Sequence, residues 1–217
     1  MAVKKQINTA ETEARIDTLT LPQDGWSAAS RADALARLRA MGLPGRRDEY
    51  WKFTRPDALV QATAATAEVV NNDEAPLMDG QPCLRAVFVD GVFDADASDD
   101  LALEGIEISR LADTTADIHW AQSLHGTLET AGQTPVARPI AALVTAFATD
   151  GLLIRVTGNP SKPVNVIYNR TSDSADVMLH HVVKLEQGAS LTLLESGPAA
   201  ARLNTVMEVD VADTAAF

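Results

Sequence analysis

Beyond Gly151 the chain loses helical periodicity, and that change constrains the fold more than any other feature. The runs LLIRVT, VNVIYNR, DVMLHHVVKLEQ, SLTLLES and RLNTVMEVDV follow one another, separated by Gly, Asn, Pro, Asp and Ser. Short runs rich in Val, Ile, Leu and Thr between turn residues predict an all-β final third. In the longest run, period-two alternation puts Val177, Leu179, His181, Val183 and Leu185 on one face. Met178, His180, Val182, Lys184 and Glu186 share the other. The first face predicts core and the second is mixed. Short strands with one inward face suit a sandwich, a cupin-like barrel or a solenoid, so periodicity leaves all three open.

Upstream the pattern is helical. Ser27 or Ser30 can cap a helix whose apolar positions Ala34, Leu35, Leu38 and Met41 recur at helical spacing, and Gly42 with Pro44 ends it. Residues 61–82, rich in Ala, Thr and Asn with two prolines, read as a linker. They divide a helical region, 1–82, from a β-rich body, 83–217. In that body RAVFVDGVFDA places β-formers on both sides of Asp90-Gly91, a pair suited to a tight hairpin turn, and GIEISRL predicts another strand. Two helices are expected, at about 115–131 and 139–149. The second is apolar nearly all round, hence buried, with Pro139 in its first turn.

Charge narrows the partners. Lys and Arg number 18 against 30 Asp and Glu, a net charge of −12. With no segregated basic patch, phosphate backbones and anionic lipid are repelled, which argues against nucleic-acid and membrane binding. The N-terminal lysines are followed by acids and polar residues where a secretion signal needs an apolar run. No stretch approaches the ~20 apolar residues that span a bilayer. Cys83 is the only cysteine, so there is no internal disulfide framework and too few thiolates for an iron–sulfur or zinc site within the chain. A reducing, cytoplasmic setting is expected.

Candidate chemistry is sparse. His180 and His181 are consecutive, so in a strand they point to opposite faces, and only a bulge could aim both at one metal ion. The plainer expectation is a packed His181 and a surface His180. His119 and His125, six apart, would lie about 120° from one another on a helix. Cys83 has no neighbouring base and reads as a small hydrophobe. Neither G-x-x-x-x-G-K-[ST] nor G-x-G-x-x-G occurs, so the chain shows no phosphate cradle. No catalytic, cofactor-binding or metal residue is assigned.

One stretch stands apart. In GLPGRRDEYWKFT, a helix stop at Gly42, Leu43 and Pro44 runs into Arg46, Arg47, Asp48 and Glu49, then Tyr50, Trp51, Lys52, Phe53 and Thr54. Physically it is a charged turn that presents Trp51 and Phe53 to a surface while the charges stay wet. The surface is either the chain's own β body, pinning the arm, or another protein.

This stretch resembles the N-terminal signature of the SufB/SufD family of the SUF iron–sulfur cluster assembly machinery, in which Gly-Leu-Pro, a basic pair, Asp-Glu and Trp-Lys-Tyr/Phe-Thr occur in this order. VFVDGVFD, GIEISRLAD, RPIAALVTAFATDGLLIRV and VVKLEQGASLTLLE resemble the SufD branch across nearly the whole chain. Arg138 departs from it where many relatives have histidine. The resemblance implies a helical N-terminal region followed by a right-handed parallel β-helix, a solenoid beginning near residue 151. It also implies a non-enzymatic scaffold that works with SufB and SufC homologues, the iron–sulfur cluster being the product of the complex and no cofactor being bound by this chain alone. The family is about twice this long, as stacked coils allow, so the chain resembles an N-terminal portion. The family's SufC-binding and cluster-assembly residues lie in the C-terminal part and transfer to no position here. A solenoid truncated at its C-terminal end would leave an uncovered coil, and self-association through it is expected. A metal-dependent, cupin-like β-barrel enzyme is the alternative.

Overall fold

The first well-packed unit in the computed structural model is a pair of helices far apart in sequence. The structure describes residues 9–46, 48–69, 78, 80–113, 116–132, 136–197 and 200–217. Arg47 and part of the expected linker lie outside these residues. Helix α1 spans Thr9–Ile16 and α2 spans Ala28–Met41. The Ala, Leu and Arg content of α2 favours helix, and it ends as expected at Gly42, φ +65°, whose N–H bonds to Leu38 O at 2.8 Å. Its buried side, Ala34 and Leu38, packs on Pro139–Phe147, which we number α5 below.

Between them lie a 3₁₀ turn at Glu49–Trp51, a single helical turn α3 at Asp57–Val60, and strands β1 (Leu84–Val89), β2 (Val92–Phe93) and β3 (Ile106–Arg110). The hairpin turn falls on Asp90 and Gly91, both at positive φ, +49° and +83°. The helix expected over 115–131 is interrupted. A 3₁₀ turn at Trp120–Ser123 gives way at Gly126 to the short helix α4, Thr127–Ala131, and Ile118 stands in solvent. The break has a tertiary cause, because the Gly126 N–H is held by the Glu208 carboxylate at 2.6 Å. Helix α5 starts with Pro139 in its first turn, and Ala142 to Phe147 are all buried.

The final third contains the five expected strands: β4 (Leu152–Val156), β5 (Val164–Asn169), β6 (Asp176–Leu185), β7 (Leu193–Ser196) and β8 (Arg202–Val211). They fall into two four-stranded sheets, ordered β2-β1-β5-β7 and β3-β4-β6-β8. Successive strands from β4 onward alternate between the sheets. The pairs β1–β5, β5–β7, β4–β6 and β6–β8 are parallel, whereas β1–β2 and β3–β4 are antiparallel.

This architecture corrects the expected right-handed parallel β-helix. The sheets are mixed and separate, and neither curls or closes on itself, which also removes the cupin-like barrel. The physical reason is that β2 and β3 enter as antiparallel edges, and helices cover the far face of the second sheet. The chain is a mixed α and β protein with helices packed on one sheet and that sheet on another.

Leu84, Phe88, Val164, Val166, Ile154, Val177, Leu179 and Leu185 fill the space between the sheets. Full burial of each such side chain contributes roughly 1.5–3 kcal/mol. The opposite side of the second sheet is buried too, Met178 under α2 and α5 and Val182 against Trp26 and Ala121. The N-terminal region is clamped to this body by charge. Asp176 receives Arg202 Nε at 2.8 Å and Arg15 Nη1 at 2.7 Å, while Arg202 Nη1 reaches Gln61 O at 2.7 Å. Beyond α3, Ala67 N–H bonds Asp173 O at 2.7 Å, so the described part of the expected linker lies along the body. Among the described residues no helix is long and apolar enough to cross a membrane.

Candidate functional site

The Gly42–Thr54 stretch folds as a turn fastened at its start and open at its tip. Leu43 is buried, its N–H donating to Thr12 Oγ1 at 2.8 Å, and Pro44 is buried beside it. Asp48 N–H then bonds Gly45 O, Trp51 N–H bonds Asp48 O and Thr54 N–H bonds Trp51 O, winding the chain tightly. This tightness throws the aromatics apart. Phe53 is 93% exposed and Tyr50 64%, whereas Trp51 is half-buried. Arg46, Lys52 and Thr54 are exposed, and Lys52 Nζ sits 5.3 Å from the Phe53 ring centre.

The arm is therefore pinned by Leu43, Thr12 and Arg15, and Tyr50 and Phe53 do not pack on the β body. Beside the turn, Tyr50, Trp51 and Thr54 face Arg138, Pro139 and Ile140 across a groove of about 270 Å³.

Elsewhere a sealed polar cluster joins α2, α4, α5 and the second sheet. His180, expected at the surface, is fully buried, which corrects that expectation. The cause is the helical layer over the second face of β6. His180 Nε2 meets Glu208 Oε2 at 2.8 Å, and Glu208 also accepts the N–H groups of Gly126 and Glu129 at 2.6 and 2.8 Å. Burial lowers the His180 pKa to about 3, so the ring is neutral and donates Nε2–H to the carboxylate. The same burial pushes the Glu208 carboxyl up, against the pull of its backbone N–H partners.

The His125 ring stacks on His180 with centres 4.1 Å apart. Ser30 Oγ donates to Ser27 O at 2.9 Å, so His125 Nδ1 is the donor in its 2.7 Å bond to Ser30 Oγ. His125 Nε2 and His180 Nδ1 consequently carry lone pairs, and neither has a protein partner among the described residues. Burial and the neighbouring His180 hold the His125 pKa well below its ordinary value. The planes of the two stacked rings are 27° apart. Among the described residues no three His, Cys, Asp or Glu side chains are grouped to hold a metal.

Arg31 completes the frame. Buried in α2, it donates to Ala146 O and Ala148 O at 3.0 and 2.8 Å, meeting the negative end of α5, and to Ser27 Oγ at 3.0 Å. Burial lowers its pKa to about 10, and it stays charged at neutral pH. Arg37 grips Glu129 through two parallel bonds of 3.1 and 2.8 Å, tying α2 to α4.

On the other face of β6, His181 is packed as expected. Its Nδ1 accepts from Leu152 N–H at 3.0 Å and its Nε2 faces Tyr168 Oη at 3.2 Å, while Tyr168 donates to Glu195 at 2.7 Å. Cys83 is half-buried and unpaired.

The sequence reading missed Arg31, Glu129 and Glu208. One signal was present, since Glu208 shares a β8 face with Asn204 and Val206, and the parallel register sets Val206 opposite His180, so Glu208 is its diagonal neighbour. No family model matches this chain, and no curated protein matches it.

Proposed function

We propose that the chain is a SufD-like, non-enzymatic scaffold subunit of an iron–sulfur cluster assembly complex, acting in the cytoplasm through protein contacts with SufB and SufC homologues. The cluster is the product of that complex, and this chain alone binds no cofactor. One observation carries the reading: the stretch that resembles the family signature is an open aromatic turn held on a rigid frame. Its exposed Tyr50 and Phe53 are the kind of side chain that anchors protein interfaces. The buried histidines and carboxylates work inward, holding helices on the sheet.

The edge strand β8 supports a second contact. Ten residues long, it pairs among named strands only with β6. Strand edges of this kind present backbone groups to another chain, and self-association along β8 belongs to the same proposal. A sedimentation mass that stays monomeric at every concentration overturns the self-association.

The test of the scaffold reading is co-expression with SufB- and SufC-type subunits and the mass of the purified assembly. A stoichiometric complex containing all three is expected. A chain that elutes alone while the other two pair with each other overturns the reading.

A further inference from the structure

We propose that the segment from Trp120 to Ala131 is an acid-released flap: proton uptake by the stacked His125 and His180 rings lifts it from the second sheet while the two-sheet body stays folded. This goes beyond the scaffold reading and does not rest on it.

The segment is lightly held. It consists of a four-residue 3₁₀ turn and the five-residue α4, both too short to persist without tertiary contacts. Leu128 is 39% exposed, and the apolar hold comes from Ala121 and Leu124 against Trp26, Leu153 and Val182. The polar hold is the Glu208 carboxylate on the Gly126 and Glu129 N–H groups, with Arg37 on the Glu129 side chain. Segments with few buried apolar contacts open at lower free energy than the core.

The trigger sits in the seam. His125 rides on the segment and His180 on β6 beneath it, both rings buried and their centres 4.1 Å apart. Each ring has one nitrogen bonded, to Ser30 or to Glu208, while His125 Nε2 and His180 Nδ1 meet no protein partner among the described residues. A proton added at either atom creates a buried charged donor with no acceptor, a cost that opening to water removes. The surroundings do not compensate two such protons. Arg31 on α2 opposes them, Glu208 on β8 supplies one carboxylate, Glu129 on α4 is gripped by Arg37, and α5 brings no titratable side chain. His181 is different. It lies on the other face of β6 against Tyr168 of the first sheet, so its proton enters only when the body itself opens.

Opening of the flap therefore takes up two protons below about pH 6.5, where an exposed histidine titrates, and its equilibrium constant should rise by up to about a hundredfold per pH unit. Glu208, held closed with a raised pKa, has the opposite sign. Where it titrates, the rise falls to about tenfold per unit.

The test is hydrogen–deuterium exchange of the full chain, read by NMR at the Gly126 and Glu129 amides and at the amides of β6 between pH 7.5 and 5.0, each rate corrected for its intrinsic value. The flap amides should exchange through an opening more populated than that of β6 at every pH, growing at least about tenfold per unit below pH 6.5. His125→Phe keeps a stacking ring and removes one proton site, so the growth should be about tenfold smaller per unit. Flap and β6 amides that exchange together at every pH overturn the proposal. So does an opening constant of the wild-type flap that does not change with pH, a result that needs no variant to fold. A folded His125→Phe with the wild-type pH dependence removes His125 as trigger and overturns it equally.

Discussion

His180 on β6 donates through Nε2 to Glu208 on the neighbouring β8 across 2.8 Å, and both side chains are sealed from water between sheet and helices. The same carboxylate accepts the Gly126 and Glu129 N–H groups at the break before α4, so one acid ties two layers together. In Glu208→Gln the new NH₂ must face one of those N–H donors. Unfolding in urea should show a loss of about 3 kcal/mol. An unchanged midpoint would mean that the carboxylate holds nothing.

Three buried histidines make the fold sensitive to acid. His180 and His181 are held at about 3 by burial, and His125 is held well below its ordinary value by burial and by His180. Arg31 on α2 adds to the depression of His125 and His180, while Glu208 opposes it at His125. The unfolded chain takes up these protons below about pH 6.5 and the folded chain does not. Stability is therefore full above that pH and falls by up to about 1.4 kcal/mol per pH unit for each histidine, down toward pH 3. Glu208, whose folded pKa is raised, has the opposite sign and offsets part of the loss only near its own titration. Urea midpoints at pH 7.5, 6.0 and 5.0 should decline in step, and a flat profile would place these rings in contact with water.

Arg31 closes the C-terminal carbonyls of α5 from inside the protein. Arg31→Met keeps most of the stem and removes the donors, leaving two buried carbonyls unmet at a cost of about 2 to 4 kcal/mol. Calorimetry should register a lowered thermal midpoint. Loss no larger than that of an exposed arginine variant, such as Arg46→Met, contradicts this role.

Gly151 lies where two strand segments nearly touch. A Cβ built there stands 1.9 Å from His180 O, a backbone atom that cannot turn aside. Gly151→Ala should destabilise by at least about 4 kcal/mol or yield insoluble protein. A soluble variant with a wild-type melting curve is the contrary result.

Phe53 is the counterpart. Its ring is almost wholly in solvent, so Phe53→Ala should change stability by no more than about 0.5 kcal/mol. The proposed scaffold role gives it a different cost, namely reduced co-purification with the partner subunits. A ring needed for folding and irrelevant to partners would invert both measurements.

Much of the local structure was legible. Helix α2 stops at Gly42, the hairpin turns on Asp90 and Gly91, α5 begins at Pro139, and five strands follow Gly151. Each rests on a few adjacent residues whose backbone preferences agree. The interrupted segment at 115–131 was not legible, because the break at Gly126 is held by Glu208, 82 positions later. Nor was the burial of His180 legible. Alternation sorts residues between two faces, but it does not say whether a helix will cover the second one.

The sequence by itself determined the strands after Gly151, the hairpin turn on Asp90 and Gly91, the stop of α2 at Gly42, the start of α5 at Pro139 and the net acidity that repels phosphate, since these follow from local sterics, spacing and summed charge. Only the tertiary structure decided that the strands divide into two open mixed sheets and that Arg31, His125, His180 and Glu208 meet in one sealed cluster. Pairing partners and burial depend on which distant segments share an interior, and hydrogen-bond closure and exclusion of water act on the whole chain at once.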